Sequence, residues 1–135
     1  MRECKLIYLP KIEDSRGNLS YIETSNHVPF LIQRAYWIYD VPGGCSRGGH
    51  AFKVQKEFII ALSGSFDVLI DDGVGETIFQ LNRSYYGLYV PAGLWREMLN
   101  FSTNSLALIV SSTNYSDSDY IRDYNEFQNL ALYEK

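Results

Sequence analysis

Apolar and polar positions change over in short runs along almost the whole chain. β-Branched and aromatic residues gather in Leu19–Glu23, Ile32–Tyr39, Glu57–Leu62, Phe66–Ile70, Thr77–Leu81, Gly87–Val90, Trp95–Asn100 and Leu106–Ser111. Short runs of this kind, bounded by turn residues, predict strands. The turn chemistry agrees. Val41-Pro42-Gly43-Gly44 breaks the chain after a strand, Gly64 and Pro91-Ala92-Gly93 allow further reversals, and Asp71-Asp72-Gly73 predicts a hairpin. So many strands in one domain must close into a sandwich, jelly roll or barrel, because an open sheet of that size leaves an apolar face wet. The pattern changes at the C-terminus. Ser116-Asp117-Ser118-Asp119 offers capping side chains ahead of Tyr120, Ile121, Tyr124, Phe127 and Leu130, a spacing of three and four that predicts an amphipathic helix over about residues 118–132. No linker, repeat or low-complexity tract divides the chain, so residues 1–135 are expected to form one domain.

Composition narrows the class. The chain is 46% hydrophobic and 21% charged, an ordinary globular balance, with no apolar run near the roughly 20 residues a membrane span needs. The opening Met1-Arg2-Glu3-Cys4-Lys5 leads into no apolar core of a secretory signal, which points to the cytoplasm. Twelve basic against sixteen acidic side chains give a formal charge of -4, so no basic stripe is available for nucleic acid. A local phosphate pocket is compatible with that charge. Cys4 and Cys45 have neither metal-ligand spacing nor the density of a disulfide scaffold, and both are expected to be reduced. His27 and His50 are the only histidines, and His27 has no chemical context that separates it from a surface residue.

The chemistry concentrates between Gly44 and Gly64. Gly44, His50, Glu57 and Gly64 match the spacing of the first cupin motif, whose second histidine position is Phe52 here, and Pro91–Asn100 resembles the second motif with Arg96 at its histidine position. In metal-dependent cupins these positions hold a divalent ion. Phenylalanine has no lone pair to give and a guanidinium is a permanent cation, so neither a metal nor another cofactor is expected. A lone imidazole among arginines and tyrosines remains, and neutral imidazole is the side chain best matched to moving a proton near pH 7.

A longer ordered set of residues carries a narrower resemblance: Asp14-Ser15-Arg16-Gly17, Val28-Pro29-Phe30, Arg34-Ala35-Tyr36, Arg47-Gly48-Gly49-His50-Ala51, Gly64-Ser65, Asp71-Asp72-Gly73, Gly87-Leu88-Tyr89-Val90, Trp95-Arg96-Glu97-Met98 and Asp119-Tyr120-Ile121-Arg122. From about residue 6 to residue 127 the chain resembles the WxcM-like nucleotide-sugar 3,4-ketoisomerases, which act on dTDP-4-keto-6-deoxy-D-glucose. The resemblance implies an all-β cupin-type jelly roll (a double-stranded β-helix) with a short C-terminal helix, working as a metal-independent homodimer. It also implies movement of the keto group from C4 to C3 in deoxyaminosugar biosynthesis for surface polysaccharides. In that chemistry a base removes the proton beside the ketone, giving an enediolate that donors must stabilise. By this analogy His50 is the candidate base, with Tyr36 and Arg16 beside it in the catalytic set. Arg47, Arg34, Phe52, Glu57 and Arg96 are candidates for binding the dTDP-linked sugar.

Several of these positions admit a second role. Glu57 is suited to orient His50 or to pair with an arginine, Arg34 and Arg96 to contact ligand or to form structural ion pairs, and Tyr36 to relay a proton or to pack in a strand. Phe52 is the departure from the family pattern. It either removes a proton carrier, leaving a nucleotide-sugar-binding cupin without turnover, or supplies an apolar face to a pocket that still works. An extracellular carbohydrate-binding domain also fits the 15% aromatic content, against the missing signal sequence.

Overall fold

In the computed structural model residues 3–133 are described. Twelve strands and one helix follow in the order β1 (Lys5–Tyr8), β2 (Lys11–Asp14), β3 (Gly17–Ser20), β4 (Arg34–Ile38), β5 (Arg47–Phe52), β6 (Glu57–Ser63), β7 (Phe66–Asp71), β8 (Glu76–Leu81), β9 (Tyr86–Val90), β10 (Trp95–Leu99), β11 (Leu106–Ser111), β12 (Tyr120–Ile121) and α1 (Tyr124–Tyr133). One sheet has the order β1-β9-β6-β11-β4 and the other β12-β5-β10-β7-β8, while β2 and β3 pair only with each other. All strand pairs are antiparallel. From β4 to β12 the chain passes from one sheet to the other at every step except the β7–β8 hairpin, which stays in the second sheet, the arrangement of the cupin-type jelly roll.

Period-two alternation sets the layers. Ile59, Ala61, Leu88, Ala107 and Ile109 of the first sheet meet Phe66, Val68, Ile70 and Met98 of the second in the central core. The first sheet buries its other face as well. Phe58, Ile60, Tyr89 and Val110 are covered by Leu9, Val28 and Phe30, which accounts for the continuously apolar reading of β6 and β9. On the outside of the second sheet, Ala51, Trp95, Ile121 and Phe127 form a small cluster where α1 docks. Among the described residues no helix is long and apolar enough to cross a membrane.

The Asp71–Gly73 hairpin forms between β7 and β8, closed by the Asp72 amide donating to the Gly75 carbonyl at 3.3 Å. The expected helix starts late. Asp117–Asp119 is a 3-10 turn and Tyr120–Ile121 pairs with Phe52 and Ala51 in β5. Asp119 is unavailable as a cap because its carboxylate accepts the Val54 and Gln55 amides at 2.8 and 3.0 Å. Asp123 caps instead, its Oδ1 accepting the Asn125 amide at 2.8 Å. The Leu19–Glu23 strand is displaced: only Gly17–Ser20 pairs, in register with Lys11–Asp14.

Gly87 in β9 lies against β6 with no room for a side chain. A Cβ there would stand 2.5 Å from the Ile59 carbonyl oxygen and 2.7 Å from the Phe58 ring. The carbonyl belongs to a paired strand and has nowhere to go. Gly87→Ala is expected to destabilise the fold by about 1–3 kcal/mol through overpacking. Urea unfolding checks it, and an unchanged midpoint contradicts the packing described.

Candidate active site

Inward-facing positions at one end of the sandwich converge on a cavity of about 390 Å³. Alternation places Arg34 and Tyr36 on one face of β4, and Gly48, His50 and Phe52 on one face of β5. His50 stands opposite Arg96 of β10 in the sheet register, and Phe52 stands opposite Tyr120. Tyr36, His50, Arg96 and Tyr120 line the cavity, with Arg47 and Arg122 supplying two further guanidinium groups and Trp37 and Tyr39 extending the wall.

Beneath this surface lies a closed polar network. Arg96 and Glu57 are 2% and 1% exposed, and Arg96 Nε donates to Glu57 Oε1 at 2.6 Å. Arg96 Nη2 donates to the Tyr36 hydroxyl at 2.9 Å, and that hydroxyl donates in turn to Glu57 Oε2. Gln55 Nε2 reaches the same carboxylate oxygen at 2.9 Å, and the Gln55 carbonyl accepts from Thr113 at 2.7 Å and from Arg34 at 3.1 Å. Burial opposes the charge on Arg96, but Glu57 and Tyr36 outweigh it and hold the group protonated. Burial also pushes the Tyr36 hydroxyl well above the usual tyrosine range, against the opposing field of Arg96.

Two buried nitrogens stand outside the network. Arg96 Nη1 and His50 Nε2 have no hydrogen-bond partner. Both residues line the cavity, so a ligand can offer each a partner there. Gly48 leaves room beside the Arg96 nitrogen. Its φ of +80° suits glycine, and a Cβ at this position would stand 2.9 Å from Nη1. The His50 ring packs edge-on against Phe52 at 4.8 Å between centroids and against Tyr120 at 5.0 Å. Burial, with the fields of Arg96 and Arg122, lowers the His50 pKa from 6.5 to about 3. The imidazole is therefore neutral at pH 7, with an unshared pair available to accept a proton.

The expected site residues divide by position. His50, Tyr36, Arg47 and Arg96 come together around the cavity. Glu57 does not face it: of the two roles its sequence allowed, it takes the arginine pair and lies behind Arg96. Arg34 is not among the residues lining the cavity; it stacks 4.9 Å from the Tyr36 ring and donates to Gln55. Phe52 is buried behind His50 and Tyr120, its far side in a smaller groove with Ile121 and Phe127. Arg16 is elsewhere in the chain, on the exposed β2–β3 turn, with its guanidinium on Asp14 at 2.7 Å. Tyr120 and Arg122 are cavity residues whose only sequence signal was the Asp119–Arg122 motif, and Gln55 gave none. The former metal-ligand positions do not suit a cation. Glu57 is consumed by Arg96, Tyr36 and Gln55, and among the described residues no three His, Cys, Asp or Glu side chains converge.

Residues 2–132 match the family model described as FdtA: WxcM-like, C-terminal. The chain is 40% identical over 126 residues to a TDP-4-oxo-6-deoxy-alpha-D-glucose-3,4-oxoisomerase of Aneurinibacillus thermoaerophilus, covering 93% of this chain and 91% of that protein. Among solved structures, a TDP-quinovose 3,4-ketoisomerase from Campylobacter jejuni superposes with a TM-score of 0.91 at 40% identity, over 96% of this chain and 99% of its own. A sugar 3,4-ketoisomerase from Thermoanaerobacterium thermosaccharolyticum, solved in complex with TDP, gives a TM-score of 0.96 at 33% identity, over 99% and 98% of the two chains.

The depressed pKa of His50 sets a pH dependence. Between its folded value of about 3 and its unfolded value of 6.5 the unfolded chain binds the extra proton. The stability tied to this group is thus fully present above the unfolded value and declines as pH falls toward the folded one. In the free protein the His50 ring resonances should hold still from pH 8 to pH 5. A titration centred near 6.5 in an NMR series contradicts the environment described.

Proposed function

Since the chain belongs to the FdtA, WxcM-like C-terminal family, we propose that it is a nucleotide-sugar 3,4-ketoisomerase that converts TDP-4-keto-6-deoxyglucose into the 3-keto isomer. The observation that carries this reading is the pair of unpartnered nitrogens at the cavity, an acceptor on neutral His50 and a donor on cationic Arg96. Proton abstraction beside a ketone needs both. His50 Nε2 takes the proton from C3, and Arg96 Nη1 stabilises the negative charge that develops on O4. Arg47 and Arg122 hold the pyrophosphate, for which a guanidinium fork is well shaped.

The pyrophosphate also bears on the base. In the free protein His50 is too weak a base for efficient transfer, because general bases work best with a pKa near the working pH. Two phosphate charges placed against Arg47 and Arg122 offset the Arg122 part of the field that depresses the imidazole, while its burial, the larger cause, remains. The reading as a binding module without turnover rested on Phe52. That residue forms a wall behind His50 and leaves the reactive nitrogen free.

The functional unit is a homodimer, a reading supported by the β2–β3 hairpin. All its residues are exposed, including Ile12 and Leu19 at 54% and 56%. An isolated two-stranded hairpin is marginal in water. A second copy packed on these side chains would cover them, and would bring Arg16 from one protomer toward the cavity of the other.

In deuterated buffer, purified protein is expected to exchange the C3 proton of TDP-4-keto-6-deoxyglucose and to form the 3-keto product, both read by proton NMR. His50→Asn should abolish both while TDP binding persists. Turnover at the wild-type rate in that variant would remove His50 as the base. For the dimer, mixing unfolded His50→Asn and Arg16→Ala chains and refolding them together should restore activity that neither variant shows alone. Failure to do so, in a protein of dimeric mass, places Arg16 outside the site.

A further inference from the structure

Isomerisation moves two protons, and the ketoisomerase reading accounts for one of them. The carbon-bound proton passes from C3 to C4 by way of His50. The hydroxyl proton must pass from O3 to the neighbouring O4, which calls for one group that donates and accepts at the same place. Tyr36 is the obvious tyrosine and is poorly placed to serve. Its hydrogen is given to Glu57 and its oxygen receives Arg96 Nη2, so donating to substrate would break the network that orients Arg96. Tyr115 is likewise engaged, donating to Asp117 at 3.1 Å.

Tyr120 meets the requirement. It lines the cavity with His50 and Arg96, its ring lies 5.0 Å from the imidazole, and among the described residues its hydroxyl makes no hydrogen bond. It is also firmly held. Its backbone pairs with Phe52 in β5, its ring packs on Phe52 at 4.6 Å, and the Arg122 guanidinium covers it at 4.2 Å. Asp119, immediately before it, ties this segment to the loop before β6 through the Val54 and Gln55 amides. A hydroxyl left free on a ring fixed from several sides is suited to transfer rather than to structure.

We propose that Tyr120 is a catalytic residue that carries the oxygen-bound proton from O3 to O4, while His50 carries the carbon-bound one. His50 Nε2 takes the C3 proton, and the C3–H electron pair becomes the C3=C4 double bond. The π pair of C4=O4 goes to O4, where the Arg96 donor stabilises the enediolate, and O4 then takes the hydroxyl proton of Tyr120. The O3 proton then passes to the tyrosine oxygen as C3=O3 forms, and the C3=C4 pair takes the proton back from His50 at C4. Both side chains end neutral, and a C4 ketone with a C3 alcohol has become a C3 ketone with a C4 alcohol. No oxidant or other reactant is needed.

Tyr120→Phe removes only the oxygen and keeps the ring contacts with His50, Phe52 and Arg122. In deuterated buffer this variant should still exchange the C3 proton, since His50 and Arg96 are intact. Formation of the 3-keto product should fall by about 10²-fold, the usual size of a lost acid–base group. TDP affinity by calorimetry, which reports a folded site, should match the wild type. Product formation at the wild-type rate overturns the proposal, as does a loss of exchange and product by the same factor, which would make Tyr120 a support for His50 only. This inference rests on the ketoisomerase reading. If the wild-type protein binds TDP but neither exchanges nor isomerises the substrate, that reading falls and the inference falls with it.

Discussion

The buried pair of Arg96 and Glu57 is the constraint on which the site depends. Taking two charges out of water costs several kcal/mol per ion, and mutual attraction offsets this only when the remaining donors and acceptors are also satisfied. Here the second carboxylate oxygen receives Tyr36 and Gln55, and two of the three guanidinium nitrogens are engaged. These bonds link β4, β6 and β10, and with them the two sheets. They also determine which nitrogen of Arg96 is left over. With Nε and Nη2 held, the guanidinium plane has one orientation and Nη1 faces the cavity beside Gly48. A donor fixed in this way before the reaction needs no reorganisation when negative charge develops, which is the source of its catalytic value.

The same positive charge bears on the proposed base. Arg96 and Arg122 depress the His50 pKa after burial has already lowered it. An imidazole in that state is neutral and a reluctant acceptor, with its Nε2 buried and unpartnered. A ligand carrying a pyrophosphate changes the balance of charge around the ring. In the proposed mechanism, ligands without the phosphates would leave the field of the arginines on the imidazole undiminished.

The fold was legible in outline because its core strands obey simple patterns. Runs such as Phe66–Ile70 and Leu106–Ser111 are rich in Val, Leu and Ile, and the turn residues between runs fall where the chain reverses. The strand that carries His50 was not legible. Arg47-Gly48-Gly49-His50-Ala51-Phe52 has two glycines and little β-branched content, and it forms because β10 and β12 pair with it, as tertiary context overrides propensity. The start of the helix was misread for a related reason. The aspartates at its expected beginning satisfy loop amides in another part of the chain. Of the residues around the cavity, motif spacing pointed to His50 and Arg96, and the family resemblance to Tyr36 and Arg47. Spacing could not tell that Glu57 and Arg34 serve the network behind the cavity, since a carboxylate bound to an arginine and one bound to a ligand look the same in a sequence. Tyr120 was hidden among eleven tyrosines, and only the hydrogen bonds of its neighbours distinguish it.

In the proposed mechanism the site dispenses with the second histidine of the motif. C3 and C4 are adjacent, so one imidazole on one face of the sugar can reach both carbons, and a second carbon base would be redundant. The position next to it is then free for a different use. Phe52 packs against His50 and Tyr120 and keeps water from the inner side of the ring. Its 4% exposure helps maintain the low-dielectric setting in which the Arg96 donor is most effective. A histidine there would present a competing hydrogen-bond partner to groups whose function requires them to be free. The substitution that most weakens the motif by its letters thus leaves in place what the proposed mechanism uses, an acceptor on His50 and a donor on Arg96 that have no partner in the protein.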